Sequence, residues 1–151
     1  MLAALVWVAM TAPAVHAQSC TATAVAPVFG SYSSGGGDRL SNGSVTVACT
    51  VLGTVPLSVV YSVNIGLGTQ ADGLQRKLLG SGQSLNYNLF CDSSLSRIWV
   101  DGLGGSCSAQ GGNAALLGNL LTVFPVYGKL PGGQTVPAGA YSNALTVQVL
   151  Y

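Results

Sequence analysis

Asp92 and Asp101 stand on either side of Trp99. Two carboxylates beside an aromatic ring are the minimum kit of a glycoside hydrolase, one to protonate the leaving oxygen and one to act as base or nucleophile opposite. A plainer reading competes with that one. Asp92-Ser93-Ser94 and Asp101-Gly102 are ordinary turn sequences, in which an Asp side chain bonds backbone a residue or two further on. The turn reading is preferred. No Asp is followed by Thr-Gly or Ser-Gly, so the paired turns of an aspartic protease are missing. Asp101-Gly102-Leu103-Gly104-Gly105 lacks the further oxygen ligands that calcium demands. Trp99 is a candidate ligand contact, a flat face on which a sugar stacks. Lying between Cys91 and Cys107, it also reads as core or turn packing.

The rest of the chemical inventory is thin. The 151 residues hold five basic side chains (Arg39, Arg76, Lys77, Arg97, Lys129), four aspartates (Asp38, Asp72, Asp92, Asp101), no glutamate and one histidine, His16. Charged residues make up 6%, against roughly 25% in an average soluble domain. A net charge of +1 gives no basic stripe for phosphates, so nucleic acid is not an expected partner. Arg76-Lys77, the one adjacent basic pair, reads as a solvated surface feature. General acid–base catalysis near neutral pH rests on histidine or on a carboxylate of shifted pKa. The chain is therefore expected to be no enzyme, with no cofactor and no metal.

Met1 to Ala17, MLAALVWVAMTAPAVHA, reads as an export signal cut after Ala17: an apolar run, then Pro13, then small residues at the cut. No Lys or Arg precedes the run, an atypical feature. It is shorter than the ~20 residues needed to cross a bilayer, so no membrane span is expected after cleavage. Residues 18–151 then form one domain without histidine. Neither a Ser-His-Asp triad nor a histidine-built zinc site is available to it.

Cys20, Cys49, Cys91 and Cys107 all fall in that domain. An even count in an exported chain points to disulfides, with three connectivities open. No CxxC pair supports a zinc site. The pairing in sequence order, Cys20–Cys49 and Cys91–Cys107, is the one expected.

The elements holding these residues are strands. Apolar residues alternate at Val45, Val47 and Cys49; at Val59, Tyr61, Val63 and Ile65; at Leu85, Tyr87 and Leu89; and at Leu145, Val147, Val149 and Tyr151. Further strands are expected over Thr21–Phe29 and Leu120–Tyr127, and a short helical stretch over Asn113–Asn119. Gly35-Gly36-Gly37-Asp38, Asn42-Gly43, Gly80-Ser81-Gly82 and Pro131-Gly132-Gly133 read as turns. Asn42-Gly43-Ser44 is formally a glycosylation sequon, but reads better as a hairpin turn. Six to eight strands in one antiparallel β-sandwich follow.

Laid out in this order, the chain resembles the spore coat protein U domain family, which includes subunits of archaic chaperone–usher pili. The matching residues are Phe29-Gly30-x-Tyr32, Val45-x-Val47-x-Cys49, Tyr61-x-Val63-x-Ile65-Gly66-x-Gly68 with Arg76 beyond it, and Leu85-x-Tyr87-x-Leu89-Phe90-x-Asp92. Trp99-x-x-Gly102 follows, then Val126-Tyr127-Gly128-Lys129-Leu130-Pro131, Gln134, and Pro137-Ala138-Gly139-x-Tyr141 before the last strand. The resemblance implies an all-β, immunoglobulin-like sandwich that lacks its final strand and is completed by a donor strand. It implies a groove at Val25, Leu145, Val147, Val149 and Tyr151. It also implies a periplasmic chaperone, an outer-membrane usher and neighbouring pilus subunits as partners, with passage through the periplasm to the cell surface. The first disulfide is the one associated with the family; Cys91–Cys107 is an extra staple around Trp99. Only Gln18 and Ser19 precede Cys20 after the expected cut, so an acceptor without a donor strand of its own is expected, as at a fibre tip. The alternative is a self-complete adhesin or coat domain that binds a surface or glycan.

Overall fold

The computed structural model describes residues 17–151, and every regular element among them is a strand. They are β1 (Ala17–Val25), β2 (Arg39–Leu52), β3 (Leu57–Ile65), β4 (Ala71–Asp72), β5 (Gln75–Gly80), β6 (Gln83–Phe90), β7 (Ala109–Leu116), β8 (Gly118–Leu130) and β9 (Val147–Leu150). The expected export signal lies, up to residue 16, outside the described residues. The strands form two antiparallel sheets, one of six in the order β1-β2-β8-β6-β5-β4 and one of three in the order β7-β3-β9. This is an all-β sandwich of immunoglobulin-like type.

Alternation explains why the two sheets face each other. In β2, Val45, Val47, Cys49 and Val51 are buried; in β3, Val59, Tyr61, Val63 and Ile65 are. Successive side chains of a strand point to opposite faces, so each set lines one inner surface and the polar residues between them face water. Trp99 sits within this core, edge-on to Phe124 at 6.4 Å between ring centres. Cys20 pairs with Cys49 in the β1–β2 register and is disulfide-bonded to it. A second disulfide joins Cys91 to Cys107 and closes the loop that carries Trp99.

Three expectations from sequence are corrected. Asn113–Asn119 is not helical: Asn113 and Leu116 pair with Val59 and Leu57 as the end of β7, and Gly118 opens β8. Asn42-Gly43 is no turn but lies inside β2, opposite Tyr127 and Val126. Glycine is needed there because a Cβ would run into the Val25 carbonyl oxygen and Pro27. Arg76, expected on the surface, is in β5 and fully buried. Nine strands thus stand among the described residues where six to eight were expected, β5 and β7 having no clear alternation. Between β5 and β6 the two-residue link Ser81-Gly82 has φ of 50° and 70°, the positive pair of a type I′ hairpin turn.

Each disulfide constrains the unfolded chain in proportion to the logarithm of the loop it closes. Replacing Cys20 and Cys49 together by serine is expected to lower the unfolding free energy by about 3–4 kcal/mol. Urea denaturation of the oxidised protein and the double variant, read at the midpoint, checks it.

Candidate functional site: an apolar groove between the sheet edges

Three strands cannot cover six, and over the part of the larger sheet that they leave lies a groove of about 970 Å³, most of its floor residues buried beneath the flanking segments. That volume lies at the upper end of the roughly 300–1,000 Å³ range of ligand pockets. Its floor is Val45 of β2, Leu78 of β5, Leu85, Tyr87 and Leu89 of β6, and Val126 and Leu130 of β8. Ile65 of β3 also lines it. One wall is the end of β1 and the segment 26–34; the other is the segment 136–145 leading into β9.

Each wall is held by side chains that stand in for a sheet ladder. The first is fixed where the Val28 N–H donates to Ser41 Oγ at 2.9 Å and where Phe29 packs edge-on to Tyr87 at 5.9 Å. Tyr32 Oη accepts the Gln134 N–H at 2.7 Å, linking this wall to the second. Gln134 in turn behaves like an added strand residue. Its Oε1 accepts from the Asn86 N–H at 2.7 Å and its Nε2 donates to the Asn86 carbonyl at 2.9 Å. Ser142 exchanges backbone bonds with Leu79 of β5, at 2.8 and 3.0 Å. Asn143 Nδ2 donates to Tyr87 Oη at 3.0 Å and to the Leu67 carbonyl at 3.3 Å. Both outer strands that border the groove are paired on one side only: β1 with β2, and β9 with β3.

The residues expected to form a groove divide. Val25, Leu145 and Val147 line it. Val149 and Tyr151 do not. Val149 is half-buried against the core opposite Val63, and Tyr151 follows the end of β9 with 57% of its surface exposed. The floor residues went unforeseen, since they come from five strands and no single stretch of sequence announces them.

Behind the groove lies Arg76, the one fully buried charge among the described residues. Arg76 Nε donates to the Gly66 carbonyl at 3.0 Å, and its Nη2 to the carbonyls of Ile65 and Trp99 at 2.7 and 2.6 Å. Burial pushes the guanidinium down to about 10, still charged at neutral pH. Tyr87, its register partner on β6, is raised by burial. The guanidinium gathers the end of β3, the Trp99 loop and β5 at one point, which explains a basic residue in that strand.

Trp99 is not a ligand contact. Only 1% of it is exposed, and its indole N–H donates to the Val63 carbonyl at 2.8 Å, so no face is left for a sugar. The two carboxylates beside it are turn formers. Asp92 accepts from Ser94 Oγ at 2.6 Å and from the N–H groups of Ser96 and Arg97 at 2.9 and 3.0 Å. These bonds, Ser94's foremost, hold its carboxyl at about 2. Asp101 accepts from the Leu103 N–H and from Ser106 Oγ. Among the described residues no cluster of His, Cys, Asp and Glu is placed to hold a metal ion.

The arrangement is an antiparallel sandwich with an apolar groove beside β9. Residues 6–148 match the Spore Coat Protein U domain, and the chain belongs to that family. It is similar to Protein U of Myxococcus xanthus, with 29% identity over 132 residues, covering 82% of this chain and 70% of that protein. In fold it is similar to a chain of the CsuC–CsuE chaperone–tip adhesion subunit pre-assembly complex, from the archaic chaperone–usher Csu pili of Acinetobacter baumannii. The TM-score is 0.58 at 18% identity, over 89% of this chain; the match spans 40% of the other, well under half its length.

The Asp92 turn makes a pH-dependent prediction. Its folded pKa of about 2 lies below the ~3.9 of an unfolded Asp, so its contribution to stability is complete above about pH 4 and is lost as pH falls through 2. NMR titration of the Asp92 carboxyl is expected to give a midpoint near 2, and Asp92→Asn to flatten the acid limb of the stability profile.

Proposed function

We propose that this chain is a non-enzymatic, exported cell-surface subunit of pilus type, whose groove accepts an extended strand from another protein. The carrying observation is the 970 Å³ groove, apolar along its floor and bordered by two strands with a free edge. An open edge beside an apolar surface invites pairing by a further strand. Strand addition meets both needs: backbone hydrogen bonds satisfy the edge while alternate side chains fill the groove. The occupant in transit is a periplasmic chaperone, and in the fibre a neighbouring subunit delivered at an outer-membrane usher. The fold shared with a subunit from a chaperone complex supports this order. A head-to-tail contact of this kind does not close on itself and so builds a filament.

The place in the fibre is that of an acceptor. Ala17–Val25 are already paired with β2 along their length, from Ala17 opposite Leu52 to Val25 opposite Ser44. A segment engaged with β2 in this way is not free to be donated to a neighbour. That suits a tip-like position.

The test is thermal unfolding of the oxidised protein purified from the periplasm, with and without a synthetic strand of alternating valine and serine. At a thousandfold excess over Kd, the peptide is expected to raise the midpoint by about 10–20 °C. Val25→Asp, at an exposed position on the groove lip, is expected to abolish the shift while leaving the bare domain's midpoint unchanged. A soluble monomer whose midpoint no strand moves would sink the incomplete-fold reading and leave a self-complete adhesin or coat domain in its place.

A further inference from the structure

No Asp, Glu, Lys or Arg lines the groove. Its polar lining consists of serines, the tyrosines Tyr32, Tyr87 and Tyr141, and Asn143. Immediately behind that lining sits Arg76, with no exposed surface at all. One groove residue bonds it directly, and two more are linked to it through the sheet register and a side-chain bond. Ile65 takes a bond from Nη2, Tyr87 is its register partner, and Asn143 is bonded to the Tyr87 hydroxyl. Arg76 has no carboxylate partner: the one ion pair among the described residues is Lys129 with Asp38. Its Nη1 has no hydrogen-bond partner, and neither does Asn143 Oδ1.

A buried charge held only by carbonyls is incompletely compensated, and its field reaches further in a low-dielectric interior than at the surface. An apolar groove beside it is therefore not electrically neutral. We infer that the groove selects a strand carrying one carboxylate, seated at the Tyr87–Asn143 end against the buried Arg76 guanidinium, and that this strand is the donor segment of a neighbouring subunit. The inference rests on the strand-acceptor reading and adds to it the chemistry of the occupant. A backbone-paired strand in this groove gains affinity from any sequence of alternating apolar residues. The buried charge supplies what apolar pockets do poorly, a difference between one such sequence and another. A carboxylate placed there meets the field of the guanidinium through the lining rather than by a direct bond, since Arg76 has no exposed surface.

Nonapeptides alternating valine with serine, blocked at both ends, provide the probe, with one aspartate moved in turn through the groove-facing valine positions and an asparagine series as the matched control. Isothermal titration against the oxidised protein is expected to show one position where aspartate binds at least about tenfold more tightly than asparagine, the size of a charge–charge attraction acting across the lining. The preference should survive 0.5 M NaCl, since a buried pair is screened far less than a surface one. It should persist in Arg76→Lys and vanish in Arg76→Met. Should Arg76→Met not fold, the salt series on the unaltered protein decides, because Lys77 and the other exposed cations lose their influence in salt. Equal binding of the two series at every position, a tighter asparagine peptide, or an aspartate preference that salt abolishes would each overturn the inference while leaving the strand acceptor intact. Failure of every peptide to bind would overturn both.

Discussion

A six-stranded sheet packed against a three-stranded one leaves apolar surface that no strand covers, and most features of this domain answer to that mismatch. Val47, Cys49 and Val51 of β2 lie in the core across the middle of the sandwich and are closed off. Beyond Ile65, where β3 ends, the inner faces of β5, β6 and β8 continue without a facing strand. Two irregular segments, 26–34 and 136–145, are drawn over the gap but meet only at its edges. The groove is what remains. It follows from strand count and strand length, before any particular side chain is considered.

Irregular segments over a core have an obligation that strands discharge automatically, since each buried backbone N–H and C=O needs a partner. Here side chains take the part of a ladder. Gln134 binds both backbone groups of Asn86, Tyr32 receives the Gln134 N–H, and Asn143 reaches the Leu67 carbonyl. Arg76 does the same work at the sharpest point, where β3 ends and the Trp99 loop passes. It gathers three carbonyls that have no ladder partner of their own. A guanidinium suits the task because its donors are fixed in a planar fork and its weak hydration makes burial less unfavourable than for an ammonium. The walls are therefore stiff while their inner faces stay apolar. A preformed groove of this kind spends little free energy on ordering itself when an extended chain enters.

Much of this was legible in the sequence, and what was not had physical causes. Alternation located β2, β3, β6 and the strand after Leu145, because each has one drier and one wetter face. It missed β5, where Arg76-Lys77 looks like surface, and β7, where Gly111-Gly112-Asn113 looks like a turn. Gly111 is small because the Tyr61 ring lies against it, a reason that only the packed structure supplies. Asn42-Gly43 misled in the same way: its glycine answers a close approach of β1 rather than a reversal of the chain. Trp99 was ambiguous, since an aromatic between cysteines packs in a core or faces a ligand with equal ease in sequence; its bond to the Val63 carbonyl decides for the core. The groove was half legible. Val25, Leu145 and Val147 come with the resemblance to the family, whereas the floor is assembled across strands distant in sequence.

The shortage of charge acquires a meaning in this light. A strand laid into a groove is held by backbone bonds and by apolar burial, and neither requires ionisable groups. Surface charges near such a groove would act against it, by solvating the edges that must be desolvated and by making association depend on salt. The domain keeps its few charges away from the groove lining: Asp38 and Lys129 pair with each other, and Asp92 and Asp101 cap turns. Arg76 is the exception, a charge admitted to the interior and placed behind the lining rather than in it. Backbone pairing and apolar filling are nearly indifferent to sequence, so discrimination among strands has to come from the shape of the floor and from the one field that crosses it.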